Sequence, residues 1–153
     1  MSLGGGGGGG AMQQIQEQMQ ALEQEKQAIQ GEIQNIRDEQ SEIDEAIEAI
    51  ETLETGSTVQ VPVGGDAYVR AEIQDIDEVI VTLGGGYAAE RDSEGAVDSL
   101  EQKKSALDDR IAELESEIEV VEEETADLEA KAQQAQQQQM QQLQQQMQQQ
   151  DDE

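Results

Sequence analysis

The sequence contains no phenylalanine, tryptophan, cysteine or histidine, one proline and two tyrosines, Tyr68 and Tyr87. Each absence removes a class of protein. Without cysteine there are no disulfides, thiolate metal sites or thiol nucleophiles. Without histidine the commonest general base and metal ligand is missing. No nucleophile–base pair or phosphate cradle can be assembled from what remains, so the chain reads as a non-enzyme, and no cofactor or metal is implied. Large aromatics supply much of the buried area of a compact core. A chain without them must bury aliphatic stripes, which suits long helices.

Basic residues are scarce as well. Lys and Arg total 8 against 36 Asp and Glu, a net charge of −28. Binding to nucleic acid relies on Lys and Arg to neutralise phosphates, so no nucleic-acid partner is expected. Anionic membrane surfaces are disfavoured for the same reason. No run approaches the roughly 20 apolar residues of a membrane span. Met1 to Gly10 lacks the basic and apolar regions of a signal peptide, so a cytoplasmic location is expected. The acids sit between regularly spaced Ile and Leu. That favours a folded chain suited to molar salt over an acidic disordered one. At about 1 M salt the Debye length is only ~3 Å, and dense surface carboxylates no longer repel over useful distances.

Residues 1–11 are mostly glycine and read as a flexible arm. No Gly-Lys-Ser/Thr follows, so this is not a phosphate loop. From Met12 the pattern changes. With Met12 as heptad position a, the a positions are Met12, Met19, Lys26, Ile33, Gln40 and Ile47. The d positions, Ile15, Leu22, Ile29, Ile36, Ile43 and Ile50, are all aliphatic. This sustained 3-4 spacing predicts a coiled-coil helix over 12–55, a rod of ~60 Å at helical rise. Lys26 and Gln40 lower seam stability but can fix register. The phase fails at Glu54, and Gly56 supplies the stop.

Residues 56–91 follow a period of two. Val59, Val61 and Val63 alternate with Thr58, Gln60 and Pro62; Gly64-Gly65-Asp66 is a turn signal; Val69, Ala71 and Ile73 then alternate with Tyr68, Arg70 and Glu72. This predicts a β-hairpin, with an open edge at Pro62, which cannot donate to a ladder. A second hairpin follows, roughly Glu78 to Leu83, the turn Gly84-Gly85-Gly86, and Tyr87 to Glu90, with Asp75 and Asp77 in the loop between. Sheets this small are marginal alone. Val59, Val61, Val63, Val69, Ile73, Val79, Val81 and Leu83 are therefore candidates for an assembly interface with a partner chain.

A second coiled-coil helix is predicted over 92–138, capped by Asp92 or Ser93. Its a positions are Val97, Lys104, Ile111, Ile118, Thr125 and Ala132, and its d positions are Leu100, Leu107, Leu114, Val121, Leu128 and Ala135. Residues 139–153 form a glutamine-rich, acidic-ended tail in which Met140, Leu143 and Met147 are out of phase by one residue. Two hairpins return the chain twice, so the fold class is α+β, mainly α: an antiparallel two-helix coiled coil with two β-hairpins between the helices. Setting Ile50 beside Val97 sets Met12 beside Ala135; a one-heptad slip is sterically open as well. Runs such as Glu122-Glu123-Glu124 point in successive directions around a helix and form no oxygen cage. Met12, Ile15, Met19, Leu22, Met140, Leu143 and Met147 are the candidate contact residues at the coiled-coil ends, methionine being adaptable to varied partners.

The order helix, two hairpins, helix resembles the prefoldin alpha family of archaea, in a version adapted to high salt. The residues carrying the resemblance are Val61-Pro-Val-Gly64, Ala67-Tyr-Val-Arg-Ala71, Val79-Ile-Val-Thr-Leu-Gly84 and Gly86-Tyr-Ala-Ala-Glu-Arg-Asp92. The resemblance implies an ATP-independent holdase, a hexamer of two alpha and four beta subunits joined through the hairpins. Its coiled-coil tips would hold unfolded polypeptides and pass them to a group II chaperonin. The glycine arm, the glutamine tail and the extreme acidity depart from the family pattern. The alternative is a structural or adaptor coiled coil, including a homo-oligomeric relative of prefoldin, that handles no clients. A pure rod would not need a β platform midway along its chain.

Overall fold

A computed structural model of the chain describes residues 6–151. Helix α1, Gly6–Thr52, is followed by strands β1 (Thr58–Gly64), β2 (Ala67–Glu72), β3 (Val79–Gly84) and β4 (Tyr87–Arg91), and by helix α2, Ser93–Asp151. The chain divides into two compact units. One holds the described residues up to Ile33 and from Ala112 onward; the other is Gln34–Ile111.

In the unit Gln34–Ile111, Gln40 and Asp44 of α1 meet Asp108 and Lys104 of α2, so the helices run antiparallel. Ile50 and Val97 line the same cavity, in keeping with the unslipped register. The heptad positions carry the burial. Ile36 and Ile43 are buried, and Ile47, Ile50, Val97, Leu100 and Leu107 are half-buried. The β1–β2 ladder pairs Val61 with Val69 and Val59 with Ala71. The β3–β4 ladder pairs Val81 with Ala89 and Ile80 with Glu90. These are two separate two-stranded antiparallel sheets. Each turn is made by two residues in left-handed conformation, Gly65 and Asp66 (φ 57° and 60°) and Gly85 and Gly86 (φ 60° and 82°). That geometry matches the right-handed twist of the strands. In both hairpins the register shifts just before the turn, at Val63 and at Leu83, each followed by a glycine of positive φ.

Short polar ties anchor the hairpins to the helix ends. Gly56 N–H donates to Ile73 O at 2.8 Å, and Ile73 N–H donates to Ser57 O at 2.9 Å, which carries the first ladder to the foot of α1. Asp77 Oδ1 accepts from the Ser93 hydroxyl at 3.1 Å and so ties the inter-hairpin loop to the start of α2. Asp92 is the N-cap of α2: its Oδ1 accepts from Gly95 N–H at 2.7 Å, satisfying one of the otherwise orphaned first-turn donors.

In the other unit the helices are again antiparallel. Lys26 of α1 faces Glu122 of α2 at 3.1 Å, and Leu22 and Leu128 line a common groove. Ile29, Ile33, Leu114 and Val121 are buried, and Leu114 is fully so. Both helices pass their sequence-predicted outer ends, while α1 stops at Thr52, short of the expected residue 55. Helical geometry reaches back to Gly6, over part of the expected arm, and forward through the glutamine segment to Asp151. A residue added to an existing helix gains a hydrogen bond without a new nucleation step. Glutamine is a fair helix former, so this accounts for the glutamine segment; glycine costs about 1 kcal/mol per residue relative to alanine, and nothing in the structure explains the helical turn at the glycines of α1. Residues 1–5 of the expected arm and residues 152–153 of the tail lie outside the described residues.

Candidate functional site

The hairpins present apolar side chains whose own chain does not cover them. Each strand pairs on one edge only, because each sheet has two strands; the other edge offers unpaired backbone donors and acceptors. Of the residues singled out in sequence, Val61, Val63, Val69 and Leu83 are exposed, at 40%, 61%, 49% and 54%. Val59, Ile73 and Val79 are half-buried, and Val59 shares a shallow pocket with Ala49 of α1 and with Leu53 just beyond its end. Val81 is different: only 6% of it is exposed, so it is already covered within its own unit.

Three prominent residues on this surface were missed in the sequence reading. Ile80 is 75% exposed, Tyr87 76% and Tyr68 60%. The missed signal is the unbroken run Val79-Ile80-Val81. A half-buried strand alternates apolar with polar, whereas a continuous apolar run marks a strand meant to be covered on both faces. Val81 faces inward and its neighbour Ile80 outward, as the period of two requires.

The candidate coiled-coil end residues fall into two sets. Met12, Ile15, Met19 and Leu22 lie half-buried along α1 at seam positions. Leu22 and Leu128 form the floor of a groove of about 390 Å³, with Glu25, Glu124 and Asp127 among its lining. Met140, Leu143 and Met147 do not join that seam: they are 65%, 56% and 67% exposed, and every residue from Gln136 to Gln150 is exposed. The intrachain seam therefore closes at Ala135.

Electrostatics within the unit Gln34–Ile111 centre on a polar layer. Gln40 Nε2 donates to Asp108 Oδ1 at 2.7 Å and to Lys104 O at 3.1 Å, and Lys104 Nζ meets Asp44 Oδ1 at 2.8 Å. The hydrogen bond to Asp44, with the fields of Asp44, Asp108 and Glu101, holds the Lys104 ammonium above its ordinary value of 10.5 against an opposing desolvation. Gln40 and Lys104 are both polar a positions, one on each helix, and they meet in this layer; Lys26, the other polar a position of α1 singled out in sequence, faces Glu122. Among the described residues no group of three or more acidic side chains is arranged to hold a metal ion, and no helix is long and apolar enough to cross a membrane.

The chain is a two-helix antiparallel coiled-coil protein whose helices are joined through two hairpins with open edges and exposed apolar residues. The chain belongs to the prefoldin family of chaperone subunits: the family model described as "Prefoldin subunit" matches residues 22–151. It is similar to the prefoldin subunit alpha of Haloarcula marismortui, 61% identical over 113 residues, 74% of this chain and 73% of the relative. It is also similar to that of Halorubrum lacusprofundi, 66% identical over 77 residues, where the match spans about half of each protein, 50% and 51%. Both relatives come from halophilic archaea, in keeping with the acidity. Among solved structures, a filamentous PFD from Methanocaldococcus jannaschii superposes with a TM-score of 0.52 at 28% identity, covering 78% of this chain and 96% of that one.

Proposed function

We propose that this chain is the alpha-type subunit of an ATP-independent holdase. It assembles through its hairpins with beta-type subunits, as two alpha with four beta, in the cytoplasm. It holds unfolded polypeptides at the coiled-coil ends and hands them to a group II chaperonin. The observation that carries the assembly half is the pair of two-stranded sheets with open edges and exposed Val61, Val63, Val69, Ile80, Leu83 and Tyr87. Such sheets gain ladder partners and a covered face only from another chain. For the client half, the support is the incompletely covered Met12, Ile15, Met19 and Leu22, with exposed Met140, Leu143 and Met147. Flexible, polarisable methionines adapt to varied apolar segments.

The test is a client-aggregation assay at molar salt, with and without a co-expressed beta-type subunit, read beside assembly mass by light scattering. Replacing Met12, Met19, Met140 and Met147 with Gln is expected to weaken suppression while the mixed assembly keeps its mass. Full suppression by the variant would remove the coiled-coil ends from client binding. A second reading is self-assembly of this chain alone without client handling. Its support is the likeness to a protein described as filamentous. A self-assembled particle that leaves clients to aggregate would establish it.

A further inference from the structure

The glutamine segment carries a second heptad seam. After Ala132 and Ala135 the intrachain seam of α2 would continue at Gln139 and Gln142, but the apolar residues stand one place later, at Met140, Leu143 and Met147, again three and four apart. One residue on a helix is a rotation of about 100°, several times the ~20° drift per heptad of a straight helix. The stripe is therefore a new surface and not a continuation of the one facing α1. It is more than half exposed at each position, on a segment helical to Asp151. The start of α1 supplies no side chain to cover it: residues 6–10 are glycine, and Gly10 has open space where a Cβ would stand.

Charge indicates the occupant. No charged side chain lies between Lys131 and Asp151, nor in α1 before Glu17. In a chain of net charge −28, these are the stretches on which a second copy can approach without like-charge repulsion. A 3-4 stripe is also matched by another of the same spacing, whereas a client of arbitrary sequence need not match it. A lone glutamine helix is marginal in water, and a second helix along its apolar face stabilises it.

We infer that Met140, Leu143 and Met147 form a self-complementary seam through which the tails of two copies of this chain pair as antiparallel helices. Leu143 lies on the two-fold axis, with Met140 of one copy against Met147 of the other, as a symmetric contact requires. Antiparallel pairing separates the Asp151 residues of the two copies, which parallel pairing would bring together. It brings Asp151 level with the partner's Ala135, both ~12 Å from Leu143 at helical rise, and so about one helical turn short of the partner's Lys131 at ~18 Å. This pairing uses side chains also proposed to meet clients, but it does not rest on that reading and is measured without client.

Because the chain has no cysteine, single substitutions report contact without background. In the full chain at molar salt under mild oxidation, Leu143→Cys is expected to form disulfide-linked dimers at least about tenfold faster than Gln145→Cys. Position 145 lies about 200° away on the helix, and only facing residues satisfy disulfide geometry. Met140→Cys mixed with Met147→Cys is expected to cross-link faster than either alone. Equal rates at 143 and 145 would overturn the seam. Fastest linkage by Met140→Cys alone would overturn the antiparallel arrangement. Protection of Leu143→Cys only when unfolded protein is added would assign the stripe to clients instead. Aggregation suppression by the same variants, scored separately, tells failure of the pairing from failure of the holdase reading.

Discussion

Neighbouring residues of β3 face different environments. Val81 is 6% exposed and Ile80 is 75% exposed, although both are β-branched, aliphatic and adjacent. An aspartate at position 81 places an unpaired charge inside the subunit, at a cost of several kcal/mol. Val81→Asp is therefore expected to lower the thermal stability of the isolated chain. Ile80→Asp puts its charge in water and is expected to leave helicity and stability near those of the parent. It should block assembly, because the same charge must then be desolvated against the partner. Circular dichroism and light scattering on both variants check this. An Ile80→Asp chain that assembles at normal mass would show that this strand face is not covered in the complex.

Among the secondary-structure elements, the helices are held by aliphatic layers and kept in register by polar ones. Gln40, Lys104, Asp44 and Asp108 form a layer that an offset by one heptad would dismantle, since Gln40 would lose both acceptors. The Lys104 ammonium is held above 10.5, chiefly by its hydrogen bond to Asp44. A cation whose folded pKa is raised contributes stability that is fully present below the unfolded value and is lost as pH rises through the folded one. The contribution should therefore persist up to about pH 10.5 and fade at higher pH. Lys104→Met is expected to lose less stability than the parent between about pH 9 and about pH 12, measured by thermal unfolding. An equal loss in both proteins would mean that the Lys104–Asp44 contact contributes nothing in solution. The same scale explains the length of α2. The helix end expected near Gln138 is passed because a formed helix extends cheaply through glutamines the heptad does not reward.

For the whole molecule, charge is the dominant variable. With −28 on 153 residues, like-charge repulsion opposes every compact arrangement, and salt sets its range. The Debye length is ~3 Å at 1 M and ~30 Å at 0.01 M. Helical signal and assembly mass are both expected to fall as salt is lowered across that interval, the mass first, because assembly gathers several acidic chains. A signal unchanged from molar to millimolar salt would contradict this account and leave the acidity without a role in stability.

The heptad phase was legible in sequence because aliphatic spacing acts locally. Every assigned a and d position from Met12 to Ile50 and from Val97 to Ala135 is buried or half-buried. The hairpins were legible through their glycine turns, which only residues tolerant of positive φ can form, and the cap of α2 was legible as Asp92 or Ser93, between which the Asp92–Gly95 hydrogen bond decides. A period of two shows that a strand has two faces but not which face its own chain covers. Only the packing of the hairpins beside the helix ends separated Val81 from Ile80 and exposed Tyr68 and Tyr87. The one-residue phase shift at Met140 could be read from the sequence. Its consequence could not, because an apolar stripe becomes a surface only when the segment is helical and its neighbour brings no side chain. Local spacing is fixed by the covalent chain, whereas coverage depends on what the fold brings alongside. Sequence alone therefore determined the elements and their phase, and tertiary structure decided which apolar faces remain open to a second chain.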